Sequence, residues 1–254
     1  IALESLHYKN KFDKYITDLG IYSLTTIDGI DASKLSSKLI TKRLDCTNIN
    51  SKNSIIDILN YVMLEIGQPL HAFDVDRLSN LIGREININD FDIRSAKKGE
   101  NFMTIDRTKI SLTEDAKLIT CDDIPVAIAG LIGSENCAVT KDTSKVIVEA
   151  ANFKSALIRN SARSVGLRTD SSSRFEKGIP GGITMLSIKR MSYLMKELFP
   201  NSSIKVYSNT QYLEKDISVD LRIDKIRNTL GFLINKIDKA KILQSNISQI
   251  SESI

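Results

Sequence analysis

Hydrophobic positions recur at helical spacing in two stretches of this chain, and a run of short alternating segments lies between them. Ile55, Ile58, Leu59, Val62, Met63 and Ile66 make the stripe of an amphipathic helix that starts at Ser54, stops at Gly67 and cannot pass Pro69. Met185, Ile188, Met191, Leu194, Met195 and Leu198 make a second stripe, predicting a helix over 183–199 that Pro200 ends. A third helix is expected over 154–165, closed by Gly166, and a fourth over 33–46, with Leu35, Leu39, Ile40 and Leu44 on one face.

From residue 84 to 149 the pattern changes to apolar or alternating runs, expected as strands over 86–94, 102–105, 109–112, 118–121, 126–132 and 146–150. Turn residues at 97–100, 106–108 and 133–136 join them. Residues 12–17 are too short to assign. Beyond a break at 207–216, a strand over 219–223 and a short helix over 224–230 are expected. The fold class is α+β, a mixed sheet-rich core with flanking helices, followed by an incomplete small α/β domain. The expected domains are 1–205 and 206–254. A start at Ile1 and a close on Ser253-Ile254 suggest a piece of a longer protein.

Composition narrows the function classes. The 254 residues carry a net charge of +4, 42% are hydrophobic, and the polar spacing leaves no apolar run long enough to span a bilayer. Cys46, Cys121 and Cys137 lie far apart, and His7 and His71 are the only histidines, which argues against a disulfide framework and a Cys/His zinc site. Without a G-x-S-x-G elbow, a G-x-G-x-x-G fingerprint or a P-loop, the serine-hydrolase, dinucleotide and P-loop NTPase classes have no support.

Three constellations remain. Pro69 stiffens the exit of the helix over 54–67, and the following residues read as a loop that can hold the His71 imidazole at a cleft rim or let it bond a nearby backbone group. Glu149 sits among strand-forming residues, where a buried carboxylate needs either a structural partner or a substrate hydroxyl. Residues 154–177 hold six basic residues, among them Arg159, Arg163, Arg168 and Arg174, against two acidic ones, an excess equal to that of the whole chain. They suit a nucleic-acid contact or a solvated helix face. Within them, 166–174 reads as a loop rich in hydroxyls.

Asn60-Tyr61-Val62-Met63-Leu64-Glu65-Ile66-Gly67-Gln68-Pro69-Leu70-His71-Ala72-Phe73-Asp74 closely resembles the start of the editing region in the beta subunit of bacterial phenylalanyl-tRNA synthetase. Ile93-Arg94-Ser95-Ala96 with Gly99-Glu100, Val126-Ala127-Ile128-Ala129-Gly130, Val148-Glu149-Ala150-Ala151-Asn152-Phe153, Gly166-Leu167-Arg168-Thr169-Asp170 and Arg174-Phe175-Glu176-Lys177-Gly178 resemble its later motifs in the same order. Residues 217–254 resemble the beginning of the next beta-subunit domain.

The resemblance implies hydrolysis of tyrosine wrongly esterified to phenylalanine tRNA. Glu149 would accept the phenolic hydrogen bond, His71, Gly133, Thr169 and Ser171 would complete the substrate pocket, and the four arginines would contact tRNA. It further implies a cytoplasmic heterotetramer of two alpha and two beta subunits without membrane attachment. No cofactor is expected in this segment; ATP and magnesium serve the whole enzyme, with the magnesium ligands beyond residue 254 and aminoacylation on the alpha subunit. The other reading is a structural scaffold that no longer edits. Four departures from the family pattern bear on this: Ser171 replaces an Ala in the pocket wall, Ser134 and Arg107 replace glycines, and Ile179-Pro180 replaces Val-Asp. Weakened editing is the expectation.

Overall fold

The computed structural model describes residues 5–7, 21–208 and the single positions 222, 225, 228 and 229. In chain order the elements are strands β1 (Ser5–His7) and β2 (Tyr22–Asp28), helices α1 (Lys38–Asp45) and α2 (Ser54–Ile66), strand β3 (Leu70–Asp74) and helix α3 (Val75–Ile82). Strands β4 (Phe91–Ser95), β5 (Asn101–Met103), β6 (Lys109–Ser111), β7 (Lys117–Cys121), β8 (Ile124–Ile128), β9 (Ile132–Gly133) and β10 (Lys145–Ala151) follow. Helices α4 (Ser155–Val165), α5 (Asp170–Phe175) and α6 (Gly181–Leu198) precede the last strand, β11 (Ser203–Ser208).

Two sheets carry the fold. The first is mixed, in the order β1-β11-β2-β10-β3, with β1 parallel to β11 and every other pair antiparallel; the second is antiparallel, in the order β4-β7-β8-β9. Alternation along the strands divides the core into two layers. Val146 and Val148 of β10, Ala72 of β3 and Ile27 of β2 face α2 and α6, packing on Ile55, Ile58, Val62, Met191 and Met195. Tyr22, Leu24, Phe73, Ile147 and Ala151 project from the opposite face and meet Phe91, Leu118, Ile119, Val126 and Ile128 of the second sheet. The first sheet is thus covered on both sides, and Glu149, two residues on from Ile147, lies in the layer between the sheets.

The α+β class and the mixed sheet agree with the expectation, and several boundaries differ for physical reasons. The first helix begins at Lys38, capped by Ser37, whose hydroxyl accepts the Ile40 amide. The segment before it is held by other bonds: Asp31 caps Ser33, and Ser36 and Ser51 donate to the buried carboxylate of Asp57. Leu35 and Leu39 therefore face outward, at 86% and 58% exposure. The run at 86–94 opens with a 3-10 turn at Ile88–Asp90 before β4, and the run at 126–132 is split by a turn at Gly130.

The loop expected around His71 is instead β3, followed directly by α3, which Asp74 caps. The hydroxyl-rich loop at 166–174 contains α5, capped by Thr169. Strands β2 and β11 were not anticipated. The helix stop at Gly67 is as expected, with the glycine left-handed at φ 92°.

Two of the departures from the family pattern are absorbed locally. Ser134 is buried and its hydroxyl caps the 3-10 turn at Glu135–Cys137, and Arg107 takes the left-handed conformation at φ 63° in a turn held by the Thr104 hydroxyl. By internal contacts the chain divides into Ile1–Glu214 and Lys215–Ile254. Strand β11 carries the first unit past residue 205. The unassigned residues 12–17 and the expected elements at 219–223 and 224–230 lie outside the described residues, except for the single positions 222, 225, 228 and 229. Among the described residues no helix is long and apolar enough to cross a membrane.

Candidate functional site

Strand register decides what Glu149 meets. In the antiparallel pairing of β10 with β3, Glu149 stands directly opposite His71, so both side chains leave the same face of the sheet. On the other flank β10 pairs with β2, with Glu149 opposite Leu24 and Ala151 opposite Tyr22, which puts Tyr22 diagonal to Glu149 on that face. The Tyr22 hydroxyl donates to Glu149 Oε2 at 3.4 Å. Tyr22 is fully buried and Glu149 is 6% exposed.

Glu149 and His71 line a cavity between the two sheets. Ile119, Ala127, Ile132 and Gly133 come from the second sheet, Gly130 and Leu131 from the turn between β8 and β9, and Ser171 and Phe175 from α5. Two glycines shape its wall. A Cβ at Gly133 would stand 2.3 Å from His71 Cε1 and 2.4 Å from Nε2, so the imidazole occupies the space where any side chain would be. A Cβ at Gly130 would meet Ile158 Cδ1 at 2.6 Å, and its φ of +67° independently favours glycine. His71 also packs edge-on to Phe73, with ring centroids 4.7 Å apart. About 50 Å³ remains free, room for water but short of the roughly 300–1,000 Å³ of small-molecule pockets.

Burial sets the charge states. It raises the Glu149 carboxyl from 4.5 to about 8, offset in part by the Tyr22 bond, and it lowers His71 from 6.5 to about 4. Near pH 7 the site therefore holds a neutral imidazole beside a mostly protonated carboxyl. Glu149 has no ion pair among the described residues. A carboxyl in this condition can donate or accept a hydrogen bond, which suits a ligand hydroxyl.

Of the candidate pocket residues, the structure brings His71, Gly133, Glu149 and Ser171 together on the cavity wall. Thr169 stands behind the wall: its hydroxyl donates to the Leu131 carbonyl at 2.9 Å and accepts the Ser172 amide, tying the start of α5 to the turn at Gly130 and Leu131. Arg159 and Arg163 are exposed on one face of α4, with no ion pair among the described residues. Arg168 approaches Glu176 at 3.9 Å, and Arg174 bonds Asp170. Sequence reasoning missed Tyr22, whose strand reads as polar. Arg94 and Glu100, two of the motif residues, form a bidentate ion pair at 2.7 and 2.9 Å and serve the second sheet's edge. Asn152 anchors the end of β10 to the Ile179 carbonyl. Among the described residues no group of three His, Cys, Asp or Glu side chains could hold a metal ion.

Comparison with known proteins adds three findings. Residues 19–200 match the B3/4 domain family. The chain is 49% identical over 213 residues to the phenylalanine–tRNA ligase beta subunit of Prochlorococcus marinus (strain NATL2A), covering 84% of this chain and 26% of that protein. It is 42% identical over 212 residues to the corresponding subunit of Parasynechococcus marenigrum (strain WH8102), covering 84% and 26%. The chain thus spans about a quarter of the length of these relatives. A solved N-terminal fragment of the phenylalanyl-tRNA synthetase beta-subunit from Pyrococcus horikoshii aligns over 99% of this chain and 65% of that one, with 14% identity and a TM-score of 0.48.

Two predictions follow from the cavity wall. Gly133→Ala forces the His71 ring to move and is expected to cost about 1–3 kcal/mol of stability. Adding His71→Ala should remove most of that cost, and additive losses in a double-mutant cycle of urea unfolding would contradict the packing. Between pH 4.5 and 8 native Glu149 keeps a proton that the unfolded chain has released, so its contribution to stability falls as pH rises through that window. His71 acts oppositely between about 4 and 6.5. Glu149→Gln removes the falling contribution. Its stability relative to the parent should grow by a few kcal/mol from pH 4.5 to 8, and parallel unfolding curves would contradict this.

Proposed function

The chain belongs to the B3/4 domain family, and we propose that it is the editing segment of a phenylalanine–tRNA ligase beta subunit, hydrolysing tyrosine wrongly esterified to phenylalanine tRNA. The observation that carries this reading is a buried carboxyl, free of any ion pair among the described residues, on the wall of a cavity shared with a neutral imidazole. A site that hydrogen-bonds a substrate hydroxyl can reject the analogue lacking it by roughly 10⁴–10⁵, the discrimination needed between tyrosine and phenylalanine. Ester hydrolysis by a positioned water needs no protein nucleophile.

In this reading Glu149 binds the phenol, and His71 moves off Gly133 to admit the ring. Thr169 holds α5 in place, and Ser171 forms part of the wall. Exposed Arg159 and Arg163 meet tRNA phosphates, with Arg168 and Arg174 beside them. ATP and magnesium act in the aminoacylation step of the whole enzyme. The alpha subunit supplies that site in a cytoplasmic assembly of two alpha and two beta chains.

A scaffold without editing activity is the second reading, favoured by the small free volume. Glu149→Ala in the assembled enzyme separates the two. Loss of a hydrogen bond to a charged or strongly polar group predicts a fall of about ten- to a hundredfold in hydrolysis of mischarged tyrosyl-tRNA. Unchanged hydrolysis supports the scaffold. The extra hydroxyl of Ser171 narrows the wall, so Ser171→Ala should raise turnover of tyrosyl-tRNA in the same assay. An unchanged or lower rate would remove Ser171 as the cause of weakened editing.

A further inference from the structure

Glu149 has a side chain on each flank, and only one of them belongs to the cavity. His71 lines it. Tyr22 is absent from its wall, is fully buried, and reaches the carboxyl from the core side through β2. A phenol hydroxyl in that position must find a partner, because burying one without a hydrogen bond costs about 1–3 kcal/mol. The partner is Glu149 Oε2, which leaves Oε1 as the oxygen not engaged by Tyr22. An apolar ring at position 22 would fill the same volume, so the hydroxyl is an addition that packing does not require.

We infer that Tyr22 is a positioning residue: by holding Glu149 through Oε2 it fixes the carboxyl against the strand and presents Oε1 to the hydroxyl of a ligand in the cavity. This rests on the reading of the cavity as a phenol-binding site. The carboxyl would then sit between two phenols, one built into the core and one arriving with the substrate, and the internal phenol sets the geometry met by the incoming one. At 3.4 Å the bond is longer than the usual 2.5–3.0 Å, as hydrogen bonds of unliganded sites often are, and it tightens when the ligand engages the second oxygen.

The same bond explains how burial is moderated. Desolvation raises the Glu149 carboxyl, and the Tyr22 hydroxyl, by stabilising the ionised form, works against it. The titratable groups facing the pair are His71 on β3, neutral near pH 7, and Cys121 on β7, which acts on Tyr22. His71 places no charge there near neutral pH.

The test has two arms. In the first, the Glu149 carboxyl is titrated by carbon-13 NMR in the full chain without tRNA. Tyr22→Phe should move its midpoint up from about 8, and 3-fluorotyrosine placed at position 22, a stronger donor that keeps the ring, should move it down. A midpoint that ignores both substitutions overturns the inference, and the fluorotyrosine chain keeps the test open if Tyr22→Phe fails to fold. In the second arm, deacylation of tyrosyl-tRNA and phenylalanyl-tRNA is compared in the assembled enzyme. Tyr22→Phe should lower the preference for tyrosine about tenfold, chiefly through KM, whereas a packing role would lower both rates together and overturn it. If Glu149→Ala leaves tyrosyl-tRNA hydrolysis intact, the phenol-binding reading fails, and the titration still decides whether Tyr22 holds Glu149.

Discussion

A carboxyl group buried within a sheet is the constraint around which this part of the molecule is organised. Placing Glu149 in β10, with another sheet above it, removes it from water at a cost that no ion pair among the described residues repays. The fold tolerates it because the group takes up a proton, its carboxyl being pushed up to about 8, and because Tyr22 supplies one donor. The cavity follows from the same arrangement. Glycine at 133 leaves the space that the His71 ring occupies, and glycine at 130 lets Ile158, Phe153 and Phe175 close in behind the wall.

Each supporting element has a definite task in holding that arrangement. The antiparallel register of β3 against β10 sets His71 opposite Glu149, and the register of β2 sets Tyr22 on the diagonal. The helical layer of α2 and α6 seals the other face of the sheet through Val146, Val148, Met191 and Met195. Thr169 links the start of α5 to the Leu131 carbonyl, so the helix that brings Ser171 and Phe175 to the cavity is tied to the turn that brings Gly130. Phe175 in turn packs edge-on to Phe153, just past the end of β10, with centroids 5.1 Å apart. The cavity wall is therefore continuous with the core.

Much of this was legible in the sequence where one physical signal dominated. The helix over Ser54–Ile66 was marked by an apolar stripe and a glycine stop at Gly67, to which the structure adds the Asn53 cap and the left-handed glycine. Glu149 stood out as a lone carboxylate among strand formers. Strand β2 was not legible because the alternation Tyr22-Ser23-Leu24-Thr25 is short and breaks at Thr26, and because both its faces are buried, with Ser23, Leu24, Thr25 and Ile27 at exposures of 1% or less. Tyr22 was lost with the strand. The loop read around His71 is a five-residue strand whose pairing with β10 is a long-range contact that local propensity does not carry. Leu35 misled in the other direction, since it extended a helical pattern that the Ser37 cap and the Asp57 cluster cut short, and Leu39, although inside the helix, faces outward.

The most direct measurement of the central claim is a structure of the protein bound to a non-hydrolysable ester analogue carrying tyrosine. The account predicts the phenol oxygen within hydrogen-bond distance of Glu149, with the His71 ring displaced from Gly133 to make room. A phenol directed to solvent, with Glu149 still bonded only to Tyr22 and His71 unmoved, would contradict it.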